Sequence, residues 1–155
     1  MQMNPEGNEL NPDSQAPEVL PALDTEPLAR DIARLVTDSK GLEVVAMRVL
    51  ELVEYTDYFV VCSARSDRHA RAIYDHLWDE LAKEGKKPLS SEGVEAAQWI
   101  LVDYGSVVVH IFFEPVREFY GLERLWADAP RLELPPPPDA RQSAAAALAL
   151  LSGRS

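Results

Sequence analysis

The stretch from Glu92 to Phe113 limits the fold more than any other part of the chain. Gln98–Asp103 and Val107–Phe113 are both rich in strand-forming residues. Between them, Tyr104-Gly105-Ser106 supplies a tight turn in which Gly105 takes the positive φ that other residues resist. The stretch predicts a β-hairpin. Its second arm, Val-Val-Val-His-Ile-Phe-Phe, is apolar at successive positions and predicts a central strand covered on both faces. The first arm carries Trp99 and Asp103 and runs into Tyr104 at the turn.

The rest of the chain supplies layers for this hairpin. Thr25 is the expected cap of a first helix, with Pro27 in its first turn and Leu28, Ile32, Leu35 and Val36 on one face. Gly41 suits the C′ position that ends it. Leu42–Val53 reads as a strand, Glu54–Asp57 as a turn, and Tyr58–Ser63 as a second, buried strand. Ser66 caps a second helix whose stripe is Ala70, Ile73, Leu77 and Leu81, and Gly85 closes it. A third helix starts at Glu114-Pro115, with Phe119, Leu122 and Trp126 sharing a face and Gly121 as a point of weakness. The order α-β-β-α-β-β-α predicts an α/β fold, a small mixed β-sheet flanked by helices, over residues 25–130. Residues 1–24 are expected to form a disordered acidic arm, and residues 131–155, rich in proline and alanine, a flexible tail.

Charge narrows the classes of partner. The net charge is −11, and residues 25–130 carry 12 Lys and Arg against 19 Asp and Glu. Phosphate repels such a surface, so no direct nucleic-acid binding is expected, whereas a basic protein suits it; solubility alone accounts for the acidity equally well. Cys62 is the single cysteine and lies in an apolar run, which makes it a small core residue with no disulfide partner in the chain. No signal peptide and no membrane-spanning run of about 20 apolar residues is found, so a cytoplasmic location without membrane contact is expected.

Catalytic groups are sparse. His69 and His76 lie two turns apart on one helix, and no cysteine or acid completes a metal-ligand set with them. His110 sits in the central strand and reads as a hydrogen-bonded core histidine. Ser63-Ala-Arg-Ser66 before a helix is too generic to assign an anion site. Asp57 and Asp103 at strand ends admit a two-carboxylate metal site for nucleotidyl transfer, but the close-spaced acidic pair of such sites is missing. The expectation is a protein without catalytic residues, metal or cofactor. The aromatic edge at Trp99, Asp103 and Tyr104 suits an interface anchor, while Trp99 as a plain core residue fits the sequence equally well.

These motifs, taken together, resemble the ribosomal silencing factor (Iojap-like) family. The resemblance rests on Thr56-Asp57-Tyr58-Phe59-Val60-Val61-Cys62-Ser63, Ser66, Glu92-Gly93, Trp99 through Gly105, and Val108-Val109-His110. It continues through Arg117, Tyr120, Leu122-Glu123 and Leu125-Trp126, and so spans about residues 25–129. Arg48, Ala64 and Ser106 depart from the family pattern, in which an acid, a glycine and an acid are usual. The resemblance implies a fold similar to nucleotidyltransferases without their catalytic acids. It implies a homodimer that binds ribosomal protein L-fourteen on the large subunit, blocks joining of the small subunit, represses translation and takes part in large-subunit biogenesis. It further implies a partner-binding set of Trp99, Asp103 and Tyr104, with Arg117, Tyr120 and Glu123 at motif positions on the last helix. A nucleotidyltransferase-like enzyme, or an adaptor for another basic protein, is the alternative.

Overall fold

The computed structural model describes residues 24–136, and the expected disordered arm and flexible tail lie mostly outside them. The element order is α1 (Glu26–Asp38), β1 (Leu42–Arg48), β2 (Tyr58–Ala64), α2 (Asp67–Ala82), β3 (Ser90–Glu92), β4 (Trp99–Asp103), β5 (Val107–Phe113), α3 (Glu114–Tyr120) and α4 (Leu122–Leu125). The strands form one mixed five-stranded sheet in the order β1-β2-β5-β4-β3. Only the β2–β5 pairing is parallel. The α/β expectation holds, and the hairpin is β4–β5, with Gly105 at φ +89° in its turn.

β2 and β5 lie in the middle of the sheet and are buried along almost their whole length, as their unbroken apolar runs require. Strand alternation sends their side chains into two separate clusters. On one face, Tyr58, Val60, Cys62, Val107, Val109 and Ile111 meet α1 and α2. Both helices are amphipathic: α1 buries Ile32, Leu35 and Val36, and α2 buries Ala70, Ile73, Leu77 and Leu81. On the other face, Phe59, Val61, Val108 and Phe112 meet Met47, Val49, Leu122 and Trp126.

Several local expectations are corrected. Thr25 does not cap α1; its hydroxyl donates to the Asp57 carboxylate at 2.8 Å instead. The left-handed residue after α1 is Lys40, not Gly41, and Gly41 N–H donates to Val36 O one position later, completing a Schellman-type stop. β1 ends at Arg48 rather than Val53, because Leu52 and Val53 turn back to bond Val49 O. The last helix breaks at Gly121, which takes φ +60°. That break turns Phe119 away from Leu122 and Trp126, so Phe119 is 79% exposed instead of sharing their face. The flexible tail was expected from residue 131, yet Leu132 N–H donates to Ala46 O and Met47 bridges Arg131. This short segment covers the outer edge of β1, where unpaired backbone groups would otherwise lie open.

Candidate functional site

The site is the second face of the sheet. β4 presents Trp99, Leu101 and Asp103 there on alternate positions, opposite Phe112, His110 and Val108 of β5. All three β4 residues are half-buried. The segment before β4 is fixed by Gly93 at φ +78°, where any Cβ would collide with the Trp99 carbonyl. Gly93 O in turn accepts from Ala97 N–H at 2.9 Å. The Glu92-Gly93 pair thereby sets where Trp99 emerges.

Trp99 is half-buried and packs against the second cluster. Its indole N–H donates to His110 Nδ1 at 3.1 Å, and its ring stacks on Phe112 with centroids 4.8 Å apart. Its outer side meets Tyr120, again at 4.8 Å. Beside it, Gln98, Trp99, Pro115, Val116, Phe119 and Tyr120 line a shallow groove of about 400 Å³. Tyr120 is 55% exposed, so two adjacent aromatic rings stand at the surface next to the half-buried indole.

His110 lies under this edge as the hydrogen-bonded core histidine expected from the sequence. Burial pushes its pKa down to about 4. It is therefore neutral, and its Nδ1 lone pair accepts the Trp99 proton. Phe59 packs edge-on against it at 4.7 Å. Cys62 is a core residue, buried on the opposite, helix-covered face, where burial pushes its thiol up to about 12.

The structure separates the six sequence-selected residues. Trp99, Asp103 and Tyr120 share the second face or its rim. Asp103 Oδ1 accepts from Gly105 N–H at 2.7 Å, which ties one carboxylate oxygen to the hairpin turn. Tyr104 follows strict alternation and packs against the helix-covered cluster. Its phenol is pushed up to about 12 by burial and, secondarily, by Tyr74. Arg117 is 6% exposed and faces the fold. It pairs bidentately with Glu123 at 2.9 and 2.7 Å and donates to Ser63 Oγ at 3.0 Å. This fork spans the Gly121 break and pins α3 and α4 to β2. The Arg117 hydrogen bond also holds the Glu123 carboxyl below its ordinary range. Leu101 and Phe119 belong to the same face and escaped the sequence reading. Leu101 was recoverable from its place between Trp99 and Asp103 on alternate strand positions.

As for chemistry, Asp57 and Asp103 lie on opposite sides of β5, and each carboxylate is held by a local donor. Among the described residues, no three His, Cys, Asp or Glu side chains group as metal ligands. No helix among them is long and apolar enough to cross a membrane. The second face carries the half-buried Trp99 and Trp126 and the exposed Phe119 and Tyr120, with Asp103 at its margin.

The family model described as ribosomal silencing factor during starvation matches residues 22–150. A ribosomal silencing factor from Halalkalibacterium halodurans is 38% identical over 99 residues, covering 64% of this chain and 85% of that protein. The mouse mitochondrial assembly of ribosomal large subunit protein 1 is 33% identical over 98 residues, covering 61% of this chain and 43% of that protein. A crystal structure of a Bacillus halodurans protein superposes with a TM-score of 0.62 at 35% identity, covering 72% of this chain and all of that one.

Proposed function

Because the chain belongs to the ribosomal silencing factor family, we propose that it binds the large ribosomal subunit through the face bearing Trp99, Leu101, Asp103 and Tyr120. The partner is ribosomal protein L-fourteen, and the bound protein blocks joining of the small subunit and so represses translation. A part in large-subunit assembly belongs to the same proposal, and the name of the mouse relative gives that process for that protein. The protein works in the cytoplasm as a homodimer, without catalysis, cofactor or direct contact to nucleic acid.

The observation that carries this reading is the aromatic edge beside β4. Trp99 is braced from below by His110 and Phe112, yet borders a groove flanked by exposed Phe119 and Tyr120. A rigid, partly buried tryptophan beside exposed aromatics is the composition of an interface hot spot. The net charge of −11 favours encounter with a basic ribosomal protein and opposes binding to bare RNA.

Co-sedimentation tests it. The full chain should travel with purified large subunits at low salt and lower the yield of joined ribosomes, and Trp99→Ala should do neither while keeping its fold. Migration of the wild-type protein free of large subunits would sink the proposal. Metal-dependent turnover of a nucleotide, abolished by Asp103→Asn, would favour the enzymatic alternative.

A further inference from the structure

Resting on that reading, we infer that Tyr55, in the loop between β1 and β2, is a second anchor for the same large-subunit protein at the far end of the docking face. Tyr55 lies just ahead of the Thr56–Ser63 motif. It is 65% exposed, in a loop that also exposes Leu50 and Leu52. Its ring is not isolated. It meets Phe59 at 6.2 Å, Phe59 meets His110 at 4.7 Å, His110 meets Trp99 at 6.0 Å, Trp99 meets Tyr120 at 4.8 Å, and Tyr120 meets Phe119 at 5.2 Å. The row crosses the face from the loop before β2 to the end of α3. Its two ends are exposed, its middle rings Phe59 and His110 are buried, and half-buried Trp99 and Trp126 pack against them.

Size argues for use of both ends. A stable interface takes about 800 Å² from each partner, a patch roughly 28 Å across. Trp99 and Tyr120, one ring spacing apart, fill a small part of that width. The aromatic row extends the contact along the same face in one direction, toward Tyr55. Charge matches as well: Glu54 is exposed beside Tyr55 and Asp103 lies on the β4 side, while Glu51 pairs with Arg48 at 2.9 Å, so the row has an acid near each end that suits a basic protein.

The test measures binding of the full chain to purified large subunits for Tyr55→Ala, Tyr55→Lys, Trp99→Ala and, as an exposed apolar control off the row, Leu89→Ala. Circular dichroism and sedimentation of the free protein accompany each variant. We expect Tyr55→Ala and Tyr55→Lys to weaken binding about 5-fold or more, as truncation of a contributing interface residue does, and Leu89→Ala to leave it unchanged. Binding of both Tyr55 variants within twofold of wild type, with Trp99→Ala impaired, would overturn the second anchor and leave the docking face standing. Unchanged binding for Trp99→Ala would remove the docking face and the anchor with it. Equal losses for Leu89→Ala and Tyr55→Ala, or a Tyr55 effect confined to self-association of the free protein, would also overturn the inference.

Discussion

The two faces of the sheet are made differently. The first is closed by α1 and α2, and its cluster is aliphatic apart from Tyr58 and the partly buried Tyr74 and Tyr104. The second is closed by less: two short helices, a connecting segment and a set of stacked aromatic rings. It also takes in polar groups, His110 and the Arg117–Glu123 pair, that the first face lacks. Aliphatic packing against long helices buries these strand side chains fully. Aromatic packing against short ones leaves half-buried rings with a free side. The first face holds the protein together, and the second, held together less completely, is the one to which the proposal assigns recognition.

The comparison breaks if stability is shared evenly. Leu77 is fully buried under the first face, so Leu77→Ala should cost about 2–5 kcal/mol in denaturant unfolding. Where that variant still folds, it should bind large subunits like wild type. On the second face, Arg117→Ala should cost about 3 kcal/mol, below the top of the range for a broken buried pair because Glu123 keeps some access to water. An Arg117→Ala variant as stable as wild type would show that the fork does not pin α3.

A pH series sharpens the contrast between the faces. His110 has a folded pKa of about 4 against an ordinary value of 6.5, so the unfolded chain binds more protons between those values. Its contribution to stability is whole above pH 6.5 and is lost as the pH falls toward 4, with a ceiling of about 3 kcal/mol. The Glu123 carboxyl, held low by Arg117, adds a further loss only below the ordinary carboxylate range. His110→Gln should flatten the slope between pH 6.5 and 4.5, measured by urea midpoints. A slope unchanged in that variant would place the proton uptake elsewhere. Trp99→Ala should cost about 2–4 kcal/mol, for losing its ring contacts and for leaving His110 Nδ1 without its donor, and its effect on binding should be the greatest.

Much of this was legible in the sequence, and the gaps have physical causes. Periodicity revealed α1, α2 and the β4–β5 hairpin, because each repeats its pattern over several residues. The parallel β2–β5 pairing joins strands more than forty residues apart in the chain and leaves no local mark. β1 was drawn too long because Val49 and Val53 are apolar for a different reason: they turn back into the second cluster. β3 is three polar residues at a sheet edge, with no alternation to detect. Within the site, alternation alone put Trp99 and Asp103 together. It could equally have put Tyr104 with the helices, had the turn not left that residue ambiguous. Arg117 and Glu123 meet across a left-handed glycine, a geometry that helical spacing does not predict.

The most direct test of the docking face is position-specific photocrosslinking in the full chain. A benzoylphenylalanine replaces either Phe119, exposed at the aromatic edge, or Ala72, exposed on α2 over the first face. With purified large subunits, the probe at position 119 should crosslink to a basic large-subunit protein and the probe at 72 should not. Crosslinking from 72 with none from 119 would contradict the assignment of recognition to the second face.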